Sequence, residues 1–202
     1  MYITDIIPLT GKRSKKVRIT IDDGSSIVLY SREAGRYGLE CDAEITDEVW
    51  ERLMQEIFIP RARSRAMHLL EKQDRTKAGL RRKLREGGYP DAAVDMAISY
   101  VESYHYIDDD RYASSYVRYH QYGKSRRRIV MDLKAKGVSD DIIERAIETE
   151  FTTSEEEMIR QTIKKRHYDH ETADLKERQR MYRFLLSRGF DYEEIDKALQ
   201  KG

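Results

Sequence analysis

The sequence predicts a mainly α-helical fold: an elongated tandem array of three three-helix repeats, preceded by a small N-terminal β-hairpin or sheet region. Period-two apolar patterns occur only near the start of the chain, and helical apolar spacing replaces them from Thr46 onward. The helical part then repeats itself around Gly88, Gly137 and Gly189, which lie 49 and 52 residues apart. We expect four segments: the β region (1–45), a linking helix with the first repeat (46–109), the second repeat (110–152) and the third repeat (153–202).

The N-terminal segment contains three candidate strands. "KKVRITI" and "SIVLY" flank Asp22-Asp23-Gly24-Ser25, whose composition is typical of a hairpin turn, and "MYITDIIPL" can pair beside them. Three short strands form a small sheet at most.

A helix is predicted directly after this sheet. Val49, Leu53 and Ile57 have the spacing of one helix face, and Thr46 precedes them as a candidate N-cap. Pro60 predicts the end of this helix. The remaining chain also has helical spacing.

The three glycines mark the same place in each repeat. Each is predicted to end a helix in a left-handed turn, after which the next apolar residue folds back on that helix. A further helix precedes each pair, at roughly 61–73, 109–122 and 154–168. Units this small bury little surface alone, so we expect neighbours to stack with a continuous core. The recurring positions are Leu84, Gly88, Tyr89, Val94, Ala97 and Ile98, then Leu133, Gly137, Val138, Ile143, Ala146 and Ile147, then Leu185, Gly189, Phe190, Ile195, Ala198 and Leu199.

Composition excludes some classes of protein and site. The single cysteine, Cys41, rules out an intramolecular disulfide and a Cys-based zinc site, and it suits a reducing compartment. No apolar run is long enough to span a bilayer, and no signal peptide is recognisable. We therefore expect a cytoplasmic monomer without a cofactor.

Charge alternates along the helical part, although 38 basic and 37 acidic residues nearly cancel. Basic segments coincide with the first and second helices of a repeat, and acidic segments lie in and after the third. The net charges are +7 over 61–90, −6 over 91–110, +7 over 111–137, −7 over 138–157, +5 over 158–188 and −2 over 189–202.

Stacked repeats would gather the basic helices into one stripe able to bind an extended polyanion or an acidic protein surface. The alternative is that these charges coat solvated helix faces and pair with neighbours. Tyr119 and Tyr122 lie close to the arginine run and are candidates for stacking on bases, whereas Tyr112 and Tyr116 have core spacing. The candidate binding residues are Arg75, Lys77, Arg81, Arg82, Arg111, Lys124, Arg126, Arg127, Arg128, Lys134 and Lys136.

Three patterns in the sequence are candidates for a catalytic or ligand-binding site. "GKSRRR" from Gly123 resembles the end of a phosphate-binding loop, but Arg118 occupies the position of the first glycine and the preceding segment is helical. Asp108-Asp109-Asp110 is compatible with a magnesium site of a nuclease, although three acids at a helix start favour a capping role. His167 and His170 lack partners that would complete a metal site. We find no catalytic arrangement.

Several segments, taken in order, resemble the RecX family of bacterial RecA regulators. They are "HLLEKQDRTKAGLRRKLREGGY", "YIDDDRYASSYVRYH", "GKSRRRIVMDLKAKGV" and "RFLLSRGFDYEEIDKAL", and together they cover about residues 60–200. His105 stands where the family usually has glycine. Within this resemblance, "GKSRRR" is expected to start the second helix of the middle repeat, with Ser125 as its N-cap.

The resemblance implies a non-enzymatic regulator with a role in DNA repair, recombination and the SOS response. Its expected partners are RecA and the RecA filament on single-stranded DNA. Such proteins lie in the filament groove, bridge neighbouring protomers and limit filament growth, ATP hydrolysis and strand exchange. An autonomous DNA-binding protein that uses the same basic stripe remains an alternative.

Overall fold

Three antiparallel strands begin the chain, in the order β1–β2–β3. The structure is a computed structural model that describes residues 1–9 and 15–201. Along β2, Val17, Ile19 and Ile21 are buried because the side chains alternate between the core and solvent. The predicted hairpin and its third strand are confirmed. The strands span Ile3–Pro8 (β1), Lys16–Ile21 (β2) and Ser26–Tyr30 (β3).

A short helix that the sequence pattern does not predict, α1 (Ser31–Arg36), follows β3. The Glu33 carboxylate accepts the Tyr30 N–H at 2.9 Å, which fixes the first turn. The same carboxylate pairs with Arg61, so a long-range contact stabilises this helix. Such a contact leaves no local signal in the sequence.

The linking helix does not end at Pro60, so that prediction is wrong. Helix α2 (Asp47–Leu53) passes through a π-helical turn (Met54–Phe58) directly into α3 (Ile59–Lys72). The Ile59 N–H donates to the Met54 carbonyl, five residues back. This wider turn accommodates Pro60, which lacks an N–H and would clash with the carbonyl four residues back in a regular α-helix. The predicted N-cap is confirmed, since the Thr46 hydroxyl accepts the Val49 N–H.

Three successive helix triplets make up the rest of the chain, and the predicted fold class is confirmed. The first contains α3, α4 (Lys77–Glu86) and α5 (Asp91–Ser103). The second contains α6 (Asp109–His120), α7 (Arg126–Ala135) and α8 (Asp140–Glu150). The third contains α9 (Glu155–Lys165), α10 (Leu175–Ser187) and α11 (Tyr192–Lys201).

The repeated glycines end the second helix of each triplet in the left-handed conformation. Gly88, Gly137 and Gly189 have φ values of 78°, 80° and 87°. After α7, the Gly137 N–H donates to the Lys134 carbonyl and the Val138 N–H donates to the Leu133 carbonyl. This is the Schellman arrangement, which satisfies the last carbonyls of a helix.

The chain forms two compact units, Met1–Ile107 and a second unit that begins at Asp108. In the first unit the sheet and the first triplet share one buried cluster. In the second unit the described buried residues form two clusters, one for each triplet, and Phe151 packs against both. The predicted continuous core is therefore wrong for this unit, in which Phe151 alone among the described residues packs against both cores. No helix among the described residues is both long and apolar enough to cross a membrane.

Candidate partner-binding face

Helix α7 begins at a contact with the end of α10. The buried Ser125 is its N-cap, and the Ser125 hydroxyl accepts the Arg128 N–H at 3.2 Å. This hydroxyl also donates to the Gly189 carbonyl at 2.7 Å, and the Ser125 N–H donates to the Arg188 carbonyl at 3.0 Å. The predicted N-cap is confirmed. The same bonds show that Ser125 holds two repeats together through their helix ends.

The contact with α10 requires glycine at position 189. A Cβ there would lie 2.6 Å from the Cβ of Arg128 and 2.7 Å from the Ser125 hydroxyl oxygen. Glycine thus provides both the left-handed backbone and the space for α7. As a result, the start of α7 has a defined position within the second unit.

The outer side of α7 carries a shallow depression that we call the α7 groove. The side chain of Met131 is 54% exposed, and Val130 beside it is partly exposed. Arg126 and Arg127 are exposed, and neither guanidinium lies within ion-pair distance of a described carboxylate. The groove therefore combines an apolar floor with unpaired positive charge. Its lining residues are Arg126, Arg127, Val130, Met131, Lys134 and Glu155.

Just before α7, Lys124 belongs to a partly buried network that includes Asp132 on the inner side of this helix. Its ammonium group lies 2.7 Å from Asp132 and 3.0 Å from the Tyr116 hydroxyl. Burial by itself would lower the pKa of Lys124, but the hydrogen bonds to Asp132 and Tyr116 outweigh it and raise this pKa. The pKa of Asp132 is lowered because the same bonds exceed the effect of its burial. Arg128 also pairs with Asp132, at 3.1 Å.

This network connects α6 to α7, so Lys124 and Arg128 have internal partners. Lys136 lies over the ring of Tyr116, 5.4 Å from its centre. On the other side of α7, Lys134 pairs with Asp140 at 2.8 Å. Of the predicted residues on and beside α7, Arg126 and Arg127 are the most available to a partner.

In the first repeat, acidic residues of α5 neutralise much of the predicted stripe. Lys77 pairs with Glu102 at 2.7 Å, and Arg81 pairs with Asp95. These two follow the alternative in which charges pair across helix faces. Arg82 is exposed and lies within ion-pair distance of no carboxylate that the structure describes.

The remaining predicted residues have mixed environments. Arg75 is half-buried, and its Nε atom makes no hydrogen bond to any described group. Arg111 is exposed at the start of α6. Tyr119 and Tyr122 are 82% and 67% exposed, which leaves their rings open to stacking. Tyr112 and Tyr116, by contrast, pack against the second core, as their spacing predicts.

The acidic run at the start of α6 has structural contacts. The Asp108 carboxylate accepts the Arg111 N–H at 2.9 Å, and Asp110 pairs with Arg145 at 2.7 Å. The predicted capping role is confirmed for Asp108. His167 follows the end of α9 with a φ of 52°. Within the described ranges, no three His, Cys, Asp or Glu side chains gather closely enough to hold a metal ion.

All three repeats match models of a known protein family. Models of the first, second and third three-helix domains of RecX match residues 62–100, 108–147 and 154–199. The chain belongs to the RecX family. Regulatory protein RecX of Caldanaerobacter subterraneus subsp. tengcongensis is 31% identical over 201 residues, 98% of each chain. Regulatory protein RecX of Vibrio campbellii is 36% identical over 135 residues, which cover 66% of this chain and 86% of the relative.

Solved RecX structures share the fold. A crystal structure of regulatory protein RecX matches 99% of both chains with a TM-score of 0.59 and 23% identity. RecX from Lactobacillus salivarius matches 71% of this chain and 95% of its own, with a TM-score of 0.56 and 26% identity. The order of three RecX repeats is therefore common to this chain and its relatives.

The predicted stripe omits exposed arginines of the third RecX repeat. Arg180 and Arg183 on α10 are exposed and lie outside ion-pair distance of every described carboxylate. The net charge of +5 over 158–188 points to this helix, but the candidate list stops at Lys136. The 52-residue offset between Gly137 and Gly189 is the signal that relates α10 to α7.

Proposed function

We propose that this RecX protein regulates RecA by stoichiometric binding rather than by catalysis. Its partners would be RecA and the RecA filament on single-stranded DNA, and its binding would limit filament growth, ATP hydrolysis and strand exchange. It would act in the cytoplasm, in recombinational DNA repair and the SOS response. The observation that carries the proposal is the α7 groove, in which Arg126 and Arg127 are exposed and unpaired on a chain of the RecX family.

The chemistry of this groove favours a protein partner. Exposed apolar side chains such as Met131 lose contact with water when they meet apolar groups of a partner, which stabilises a complex. Arg126 and Arg127 can form two-pronged hydrogen bonds with carboxylates at the rim. An acidic surface of RecA is a suitable counterpart for both features.

The test is DNA-dependent ATP hydrolysis by RecA, measured while this protein is titrated from substoichiometric to equimolar amounts. We expect the intact protein to inhibit hydrolysis, and the double variant Arg126→Ala/Arg127→Ala to need about tenfold more protein for the same inhibition. The control Arg32→Ala/Arg65→Ala removes two exposed arginines elsewhere and should inhibit like the intact protein. If equimolar intact protein leaves ATP hydrolysis unchanged, the proposal is rejected.

A second candidate function is autonomous DNA binding, which the exposure of Tyr119 and Tyr122 favours. Their rings can stack on unpaired bases close to the arginine run, and nearby cations can neutralise phosphates. This candidate predicts tight binding to naked single-stranded DNA, weakening with salt by about one unit of logarithmic slope per phosphate contact. Binding that occurs only when RecA is present would count against it.

A further inference from the structure

A second depression, which we call the α10 groove, lies on the third repeat. Four of its lining residues occupy the positions of Arg126, Arg127, Val130 and Met131 after a shift of 52 residues. The same face of the second helix of the repeat therefore carries a depression in both the second and the third repeat. The α10 groove is lined by Leu175, Arg178, Gln179, Tyr182, Arg183 and Asp196.

The two grooves share their chemistry as well as their place. Leu175 is 71% exposed in the α10 groove, and Met131 is 54% exposed in the α7 groove. Arg183 is exposed, and its Nε donates only to the Gln179 carbonyl of its own helix among described groups. Each groove also contains one carboxylate, Asp196 in one and Glu155 in the other.

The first repeat has different chemistry at the corresponding positions. Shifted by 49 residues, Val130 corresponds to Arg81, whereas shifted by 52 residues it corresponds to the partly buried Tyr182. An arginine replaces Met131 in both of these repeats. Arg81 is also paired with Asp95. The third repeat therefore shares with the second an uncharged side chain at the Val130 position, which the first repeat lacks, and Leu175 adds a further apolar group to its groove.

We infer that the α10 groove is a second docking site for an acidic protein segment that carries apolar side chains. Exposed Leu175 gains from contact with apolar side chains and gains nothing from phosphates. Asp196 pairs with Arg178 at 3.3 Å, so the groove has less positive charge for a phosphate backbone than its two arginines suggest. Arg183 supplies the positive charge for an acidic partner. The inference rests on the proposed function, because RecA is the protein expected to supply the segment.

The experiment measures the affinity of the protein for RecA filaments on single-stranded DNA and, in parallel, for the same DNA without RecA. The variant Leu175→Ser/Arg183→Ala changes two exposed side chains of the groove, and Arg180→Ala is a control on the same helix outside the groove. Thermal unfolding followed by circular dichroism verifies that each variant folds. We expect the groove variant to bind filaments about fivefold more weakly, while its affinity for naked DNA and that of the control for filaments remain unchanged.

The other outcomes distinguish a failure of the second docking site from a failure of the proposed function. If the intact protein binds filaments and the Arg126→Ala/Arg127→Ala variant binds them weakly, but the α10 variant binds normally, the second docking site is overturned and the proposed function stands. If the α10 variant loses affinity for naked DNA by the same factor, the groove binds nucleic acid and the inference is also overturned. If the intact protein does not bind filaments, both fail together.

Discussion

Single residues with a left-handed backbone show how local chemistry shapes this protein. His105 has a φ of 55° and lies directly beyond the end of α5. The His105 N–H donates to the Glu102 carbonyl and the Tyr106 N–H donates to the Val101 carbonyl, both at 2.9 Å. The turn is therefore a Schellman motif formed at some cost in backbone strain.

Replacing this histidine with glycine should stabilise the protein. The His105 side chain is exposed, so His105→Gly loses little packing and relieves the strain of a Cβ in the left-handed region. Because glycine also makes the unfolded chain more flexible, we expect a net gain of about 0.5 kcal/mol in the free energy of unfolding, measured by urea denaturation. The matched variant His167→Gly, at a φ of 52°, should also have a higher free energy of unfolding than the intact protein. A loss of stability in both variants would contradict this explanation.

The residue scale also shows what the sequence can predict. The capping roles of the repeated glycines, Thr46 and Ser125 involve backbone groups within a few residues, so these roles follow from local spacing. Lys124 is different, because the network that it forms with Tyr116 on α6 and Asp132 on α7 requires these two helices to pack. The pairing of Lys77 with Glu102 likewise depends on the packing of α4 and α5. The sequence therefore predicts the basic helices but not which charges remain unpaired.

At the scale of elements, helix pairs are held together by polar networks beside the apolar cores. Asp132 on α7 accepts hydrogen bonds from Lys124 and, through the Tyr116 hydroxyl, from α6. Burial by itself would raise the pKa of Asp132 above its ordinary value of 3.8, but the hydrogen bonds from Lys124 and Tyr116 lower it in the folded protein. A carboxyl group whose pKa is lowered in the folded state stabilises the fold at pH values above its ordinary pKa. This contribution is lost as the pH falls through the folded pKa.

The variant Asp132→Asn tests this network. At pH 7 we expect the free energy of unfolding to fall by about 2 kcal/mol, because Lys124 loses a charged partner in a partly buried site. The difference from the intact protein should shrink as the pH falls below 3.8, where the intact carboxyl also becomes protonated. Urea denaturation at several pH values measures both effects. Asp141→Asn, in an exposed pair with Arg145, should cost less, and a pH-independent loss at Asp132 would contradict the network's role.

The helix through Pro60 and the α10 groove are two features that local sequence patterns do not predict. Pro60 is a reliable signal that a regular helix ends, yet here the π-helical turn carries the chain through it. The insertion of such a turn depends on the packing of Leu53, Phe58 and Ile59, which are buried in the first core. The α10 groove escaped prediction for another reason. Its residues are unremarkable in composition and become a candidate site only when aligned with α7.

For the whole molecule, the two compact units are the main feature that the repeat pattern does not predict. The first core lies entirely within residues 1–107, and the second and third cores lie entirely beyond them. The expected boundary between residues 109 and 110 remains a prediction. Repeat spacing alone gives no reason for the sheet and first triplet to share a core.

Each unit should fold by itself. We expect residues 1–107 and 108–202, expressed as separate chains, each to unfold in a cooperative thermal transition, because each fragment contains complete buried clusters. As a control, a fragment ending at Gly137 divides the second core and should leave residues 108–137 unfolded. Calorimetry and circular dichroism measure these transitions. A fragment 1–107 or 108–202 without a cooperative transition would disprove this independence.

The carbonyl of Gly88 accepts the N–H of Val28, and a Cβ at Gly88 would clash with a Val28 methyl group. The turn of the first repeat thus covers an outward-facing amide of the edge strand β3. During synthesis on the ribosome, β3 emerges well before Gly88, and at ordinary elongation rates this interval lasts roughly 3 to 12 seconds. For that time the nascent sheet has an unprotected edge, which is the period when pairing with other chains competes with correct folding.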